Sequence, residues 1–149
     1  MKILSIVAIA GLFLMVACTS APVNDKQSLA AEPQLTERYW KLLELNGEAV
    51  SMSPNQDREA HFILKALDNR LTGYSGCNMF FGNFVLEADN RIRFDQVGAT
   101  KRACPDAHLQ EFEFLQVFGL ANNYSFQGGL LALNGDHETP LAVFKSVEF

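Results

Sequence analysis

The chain has 149 residues, of which 48% are hydrophobic, 11% aromatic and 19% charged. This length accommodates one ordinary domain, and the composition is that of a globular protein. Twelve Lys and Arg residues against 17 Asp and Glu residues give a net charge of −5. This balance speaks against nucleic acid as the main partner, because phosphate binding requires a basic surface.

Residues 1–17 predict an export signal. Lys2 is followed by an apolar run from Ile3 to Val16. As a helix this run extends about 21 Å, which is shorter than the roughly 30 Å hydrocarbon core of a bilayer. A cleaved signal peptide therefore fits better than a membrane span.

The four residues before Cys18, Leu-Met-Val-Ala, resemble a bacterial lipobox, with Met15 in the place where Leu is most common. In such a motif the cysteine receives diacylglycerol and becomes the mature N-terminus, and two or three acyl chains hold a protein on the membrane. We therefore expect lipidation of Cys18. Thr19 follows instead of Asp, which by resemblance to enterobacterial sorting suggests the outer membrane, with the protein facing the periplasm. The alternative is an ordinary secretory signal cut near Ala17 or Ala21.

Residues 18–36 predict a flexible tether between the anchor and a folded domain at residues 37–149. They contain Pro22 and Pro33 and show no strong periodicity. A flexible coil of this length spans about 20–25 Å. The alternative is a frayed terminus without a required length.

From residue 38 onward, short β-prone segments alternate with turn residues, which predicts antiparallel strands. The predicted strands are Tyr39–Leu45, Ala60–Leu64, Arg70–Tyr74, Phe80–Leu86 and Arg91–Phe94, with a further meander over residues 124–144. Asn46-Gly47 is a strong hairpin signal. In the fifth strand Ile92 and Phe94 alternate with arginines, which predicts one buried and one wet face.

One segment, Asp106 to Leu120, has the near-3.6 periodicity of a helix. Its predicted buried stripe consists of Leu109, Phe112, Leu115 and Phe118. We therefore predict an α+β fold, mostly β, in which a twisted antiparallel sheet or partial barrel has one helix packed against it.

Cys77 and Cys104 remain once Cys18 is assigned to lipid. An even number of thiols in an exported protein favours a disulfide, and closing this loop stabilises a fold by roughly 3–4 kcal/mol. The alternative is a pair of buried free thiols that pack as small apolar groups.

No catalytic or metal-binding constellation is visible in the sequence. His61, His108 and His137 lack metal-ligand spacing, and the carboxylates are scattered. Nucleophile, phosphate-loop and dinucleotide motifs are absent from the sequence. We therefore predict no cofactor, no metal and no enzymatic activity. The alternatives are an envelope hydrolase whose site the sequence does not reveal, and a binder of a small apolar ligand inside a partial barrel rich in Phe.

Two segments resemble motifs of a known family. Residues 76–82, Gly-Cys-Asn-Met-Phe-Phe-Gly, are similar to the Gly-Cys-Asn-x-Phe/Tyr-x-Gly motif of the META domain family, which includes HslJ-like bacterial lipoproteins. Residues 100–105, Thr-Lys-Arg-Ala-Cys-Pro, resemble its Thr-Arg-Met-Ala-Cys segment, with Lys101 in the place of Arg and Arg102 in the place of Met. The resemblance extends over about residues 38–145.

The resemblance implies a mostly antiparallel β fold with one helix and a role in the bacterial envelope. Members are associated with heat induction and novobiocin tolerance, and the family carries no established enzymatic activity. We therefore expect a monomeric, lipid-anchored protein that acts in envelope stress tolerance through a protein partner or structural support. The acidic net charge favours a basic partner.

A disulfide between Cys77 and Cys104 would bring the two family motifs together in space. They would then form either a surface patch that contacts a partner or a structural knot that holds the helix to the sheet. The residues of this patch are Asn78, Thr100, Lys101 and Arg102.

Overall fold

The computed structural model describes residues 35–54, 56–104 and 110–148. Over these residues the chain forms nine β-strands and one α-helix, with the helix between the sixth and seventh strands. The strands are β1 (Tyr39–Leu45), β2 (Glu48–Ala49), β3 (His61–Lys65), β4 (Arg70–Tyr74), β5 (Met79–Glu87), β6 (Arg91–Ala99), β7 (Asn123–Gln127), β8 (Leu130–Asn134) and β9 (Ala142–Val147), and the helix is α1 (Glu111–Leu120).

Eight of these strands close into an antiparallel barrel. Each strand from β3 to β9 pairs with the next, and β1 joins β3 to β9. Within the described ranges, strand β2 pairs with β1 alone, across the predicted Asn46-Gly47 hairpin. The predicted mostly-β fold with one helix is confirmed, and the sheet that was expected to be open or partly closed forms a complete ring.

The number of paired residues between neighbouring strands differs around the barrel. Strand β1 shares a register of six residue pairs with β9, but of only two pairs with β3. Strands β6 and β7 meet at the single pair Arg91↔Asn123. The helix packs along β6 beside this short seam.

Local sequence accounts for the hairpins and for the alternation along the strands. Asn46 and Gly47 have φ angles of 53° and 83°, the left-handed conformation that a type I′ turn requires at both central positions. Along β6, Ile92 and Phe94 are buried and the arginines that alternate with them, Arg91 and Arg93, are exposed, as predicted. The pleat therefore places one set of side chains inside the barrel.

Aromatic rings fill the interior of the barrel. The ring of Phe118, on α1, lies 5.0–5.6 Å from the rings of three strand residues, Phe62, Phe80 and Phe94. Phe144 of β9 meets Phe62 edge to face at 4.8 Å. Such pairs contribute packing energy beyond the burial of their apolar area.

The helix buries a face that matches the predicted stripe at Phe118 but not at Phe112. Its buried residues are Phe114, Val117 and Phe118, whereas Phe112 is 72% exposed. A strict three-residue spacing turns by about −60° at each step, so the predicted stripe spirals around the helix and away from the core. The other predicted member, Leu109, lies outside the described residues, as does the predicted start of the helix at Asp106.

Two glycines have opposite surroundings. A Cβ atom on Gly73 of β4 would overlap the ring of Phe80 and the carbonyl oxygen of His61. A Cβ atom on Gly119 of α1 would meet nothing within 4 Å. The absence of a side chain is therefore required at Gly73, where β4 lets an aromatic ring approach its backbone.

Candidate functional site

The two family motifs meet at one end of the barrel. The turn of residues 75–78 joins β4 to β5, and residues 100–104 follow β6 at the same end, where the amide of Thr100 donates to the carbonyl oxygen of Met79 at 2.9 Å. Cys77 and Cys104 are bonded in the structure, with their Cα atoms 6.0 Å apart. This is a normal separation for a disulfide.

The side chain of Asn78 binds the second motif through its oxygen and its nitrogen. Its Oδ1 accepts hydrogen bonds from the Thr100 hydroxyl at 2.8 Å and from the Arg102 amide at 2.7 Å. Its Nδ2 donates to the Arg102 carbonyl oxygen at 3.1 Å. One amide therefore fixes the backbone of residues 100–102, as a second strand would.

The same amide ties the helix to this end of the barrel. Asn78 Nδ2 also donates to Glu111 Oε2 at 3.0 Å, and the Ser75 hydroxyl donates to Glu111 Oε1. The backbone N–H of Asn78 in turn donates to Ser75 Oγ at 3.0 Å. Glu111 is the first residue of α1, and the positive end of the helix dipole stabilises a carboxylate at this position. We call Ser75, Asn78, Thr100, Arg102 and Glu111 the Asn78 network.

The structure divides the predicted surface residues into two groups. Asn78 is only 2% exposed, which disagrees with the surface-patch alternative for this residue and agrees with the structural-knot alternative. Thr100, Lys101 and Arg102 are exposed. The buried amide has the geometry of the structural knot, and the exposed side chains beside it remain available to a partner.

A small surface cavity adjoins the Asn78 network. It has a volume of about 230 Å³, and we call it the Tyr74 pocket; its lining includes Asp57, Arg58, Tyr74, Met79, Thr100 and Arg102. The guanidinium carbon of Arg58 lies 5.3 Å from the centre of the Tyr74 ring. Arg102 Nη2 lies 3.4 Å from the Tyr74 hydroxyl and donates to the Cys77 carbonyl oxygen at 3.1 Å. Two cations thus meet one aromatic ring.

Behind this pocket, His61 lies between two tyrosines. Its ring stacks on Tyr39 at 4.1 Å and lies 6.3 Å from the ring of Tyr74. Burial lowers the pKa of His61, although the nearby Glu59 carbonyl oxygen, 3.0 Å from Nδ1, favours the protonated ring. Burial, with the nearby Glu59 carboxylate, raises the pKa of Tyr39 to about 12. His61 is therefore a packed histidine.

Several residues of this site escaped the sequence analysis. Ser75, Arg58, Tyr74 and Glu111 belong to no motif quoted above, although Ser75 lies directly before the Gly-Cys-Asn segment. Their roles depend on the register between β4 and β5 and on where α1 begins. Neither can be read from local sequence.

The site presents hydrogen-bonding groups and charged side chains. Among the described residues, no group of three or more His, Cys, Asp and Glu side chains is arranged to hold a metal ion. Within the same part of the chain, the helix is too short to cross a bilayer. Cys18, the predicted signal and the predicted tether as far as residue 34 lie outside the described residues, as does His108.

Comparison with known proteins identifies the fold and the family. A protein from Burkholderia xenovorans, solved by NMR, has a TM-score of 0.62 at 23% identity, over 80% of this chain and 88% of its own. A DUF4847 family protein from Bacteroides vulgatus has a TM-score of 0.56 at 16% identity, over 76% of this chain and 95% of its own. At these identities the likeness concerns the fold alone. No curated protein matches the chain. The family model of the META domain matches residues 33–148, and the chain therefore belongs to the META domain family.

Proposed function

We propose that this protein is a lipid-anchored, non-enzymatic protein of the bacterial envelope that binds a protein partner through the end of the barrel that carries the family motifs. One observation carries the proposal. The Asn78 network and the disulfide hold residues 100–102 in a fixed conformation while Thr100, Lys101 and Arg102 stay exposed. An exposed segment that is already ordered loses little entropy on binding.

The anchor in this proposal is diacylglycerol on Cys18. The lipobox-like residues before it and the apolar run from residue 3 to residue 16 support acylation. With the tether of residues 18–36, the domain would stand close to the membrane surface, and the residue after the cysteine, Thr19, favours the outer membrane, facing the periplasm. The HslJ-like resemblance supports a role in tolerance to envelope stress.

The packing of the barrel supports a protein partner over an apolar ligand held inside. Over the described residues, rings from the strands and from α1 fill the interior, with Phe114 and Phe118 fully buried. The polar groups of the Asn78 network are satisfied by one another, which supports a structural role over catalysis.

Mass spectrometry of the full chain isolated from membranes tests the anchor. We expect a mature N-terminus at Cys18 with acyl chains, and release of a Cys18→Ser variant from the membrane. A mature chain without acyl chains would refute the anchor and leave the partner surface untouched.

Site-specific photocrosslinking in living cells tests the partner surface. A crosslinking amino acid at position 101 is expected to give a discrete adduct with an envelope protein, whereas the same amino acid at the exposed position of Arg93 on β6 is the matched control. If both positions give the same adducts, or if neither gives one, the partner surface is not where we place it. A deletion strain with unchanged tolerance to heat and novobiocin would refute the stress role.

A further inference from the structure

The side chains that line the Tyr74 pocket carry two positive charges, on Arg58 and Arg102, and one negative charge, on Asp57, whereas the whole chain is acidic. The net charge is −5, which by itself favours basic partners. At the pocket, however, Arg58 and Arg102 present two guanidinium groups, and the exposed Lys101 directly precedes Arg102 in the chain. Local charge decides which group docks at a surface, because exposed charges more than about 10 Å away are largely screened by salt.

Both arginines are positioned before any partner arrives. The ring face of Tyr74 contacts Arg58, and its hydroxyl accepts a long hydrogen bond of 3.4 Å from Arg102 Nη2. The Cys77 carbonyl oxygen holds Arg102 Nη2 further in place at 3.1 Å. The two contacts of the Arg102 guanidinium, like its ion pair to Asp57, use Nη2, and a guanidinium carries five N–H donors. The side chain keeps 60% of its surface exposed, so it can still donate to an incoming carboxylate.

The protein already offers a carboxylate to this pocket. Asp57 Oδ2 lies 3.9 Å from Arg102 Nη2, and the Asp57 side chain is 74% exposed. An ion pair this long and this exposed contributes little energy. The position of Asp57 therefore shows that a carboxylate fits beside Arg102. Because its ion pair is weak, Asp57 competes little with a carboxylate from another protein.

An apolar ledge adjoins the pocket. Met79 lines the pocket, and Phe81 lies two residues further along β5, so both side chains point out of the same face of the barrel. They are 47% and 48% exposed, which is high for large apolar groups. Phe81 lies over Gly98, where a Cβ atom would approach its ring to 3.6 Å.

We propose that the Tyr74 pocket binds a carboxylate side chain on an extended, acidic segment of a partner protein, and that an apolar side chain two positions away on that segment covers Met79 and Phe81. Alternate side chains of an extended peptide point to the same side, which matches the step from the pocket to the ledge. This inference rests on the proposed partner-binding function and names the chemistry of the partner.

The test is an NMR titration of the full chain, kept in neutral detergent whichever cell fraction it comes from, with a blocked peptide of alternating Glu and Leu. Its control is the same peptide with Gln in place of Glu. We expect Arg58→Gln and Arg102→Gln to weaken the Glu peptide by about tenfold or more, because each removes charge-assisted hydrogen bonds. Arg93→Gln is the matched control, because Arg93 is an exposed residue of β6 that pairs with Asp95 at 2.7 Å. It should leave the affinity for the Glu peptide unchanged.

Asp57→Asn gives the sharpest result, because it removes the internal competitor. We expect it to tighten the Glu peptide about two- to fivefold, in proportion to the strength of an exposed ion pair. No binding, equal binding of the Gln peptide, or weaker binding to Asp57→Asn would overturn the proposal. Inorganic phosphate or vesicles with phosphatidylglycerol that bind with the same dependence on Arg58 and Arg102, in place of the peptide, would overturn it too. Acylation of Cys18 does not enter this experiment, so the anchor and the pocket fail separately.

Discussion

Replacing Asn78 with Ala is expected to destabilise the domain more than any other single truncation of a polar side chain at this end of the barrel. The substitution removes two hydrogen bonds accepted by Oδ1 and those donated by Nδ2 to the Arg102 carbonyl oxygen and to the Glu111 carboxylate. Residues 100–102 and the start of α1 lose their common partner at once.

The magnitude follows from these bonds. Three bonds between neutral groups contribute about 0.5–1.5 kcal/mol each, and the bond to the carboxylate about 1.5–3 kcal/mol. Water can reach the exposed Thr100 and Arg102 and recover part of this energy. We therefore expect a loss of about 3–5 kcal/mol, which is a large share of the 5–15 kcal/mol of a typical domain. The melting temperature should fall by roughly 12–20 °C.

Urea unfolding with the disulfide intact measures this loss, and Asn83→Ala is the matched control. Asn83 is exposed on β5, and among the described residues its side chain makes one long hydrogen bond, of 3.4 Å to Gln96, so the loss should stay within about 0.5 kcal/mol. A loss below about 1 kcal/mol for Asn78→Ala would refute the idea that the Asn78 network holds this end of the barrel together.

Asn78→Asp separates charge from shape. The new carboxylate would face the Glu111 carboxylate where Nδ2 now donates at 3.0 Å. Their repulsion destabilises the variant at neutral pH, and protonation of either group at low pH relieves it. The difference in stability between Asn78→Asp and the wild type should therefore shrink as the pH falls from 7 to 4, and Glu111→Gln should remove most of this pH dependence. A difference that does not change with pH would contradict the contact between residues 78 and 111.

Three further predictions concern stability measured by thermal or urea unfolding. Gly73→Ala should destabilise by about 1–3 kcal/mol, because its Cβ atom overlaps neighbouring atoms, whereas Gly119→Ala should stabilise by up to about 1 kcal/mol, because Ala favours the helix and meets no neighbour; equal effects would contradict the packing. The double substitution Cys77→Ser/Cys104→Ser should destabilise by about 3.5 kcal/mol through the 27-residue separation of the bridge, and two alkylatable thiols in the native protein would show that no bridge exists. The lowered pKa of His61 means that the unfolded chain takes up this proton first, so stability should fall as the pH drops below the ordinary value of 6.5; His61→Gln should flatten this dependence, and an unchanged slope would contradict it.

The hairpins and strands could be predicted from sequence because their signals are local. The strand Tyr39–Leu45 and the hairpin at Asn46-Gly47 were predicted with the bounds that the structure has. Turn residues with left-handed φ angles and the alternation of apolar side chains act over a few residues. Such local preferences therefore do not depend on the rest of the fold.

The closure of the barrel and the buried face of α1 could not be predicted in the same way. Pairing of β1 with β9 depends on the curvature that all the strands accumulate together. On α1, apolar residues lie on several faces, so periodicity alone does not choose between Phe112 and Phe114. Packing against the barrel decides which face is buried, since the ring of Phe114 lies 5.7 Å from the ring of Phe80.

The candidate site was predicted in outline but not in chemistry. The motifs located Asn78 and residues 100–102, but the burial of Asn78 follows from contacts with Ser75 and Glu111 that are distant in sequence. Arg58 belongs to no motif and enters the site only because its loop passes over Tyr74. The net charge, likewise, averages over the whole chain and hides a basic pocket.

The pairing of β1 with β9 makes the first strand of the barrel wait for the last one during folding. Contacts such as that of Arg38 with Ser146 join residues that are 108 positions apart in the chain. Contacts this distant slow folding, because the loop between them must close before they form. Until β9 arrives, β1 holds an open edge with two residues paired to β3, and open edges invite association with other chains. A chain truncated before Ala142 would therefore leave β1 without β9 and would tend to aggregate. It would not fold into a smaller, stable version of this domain.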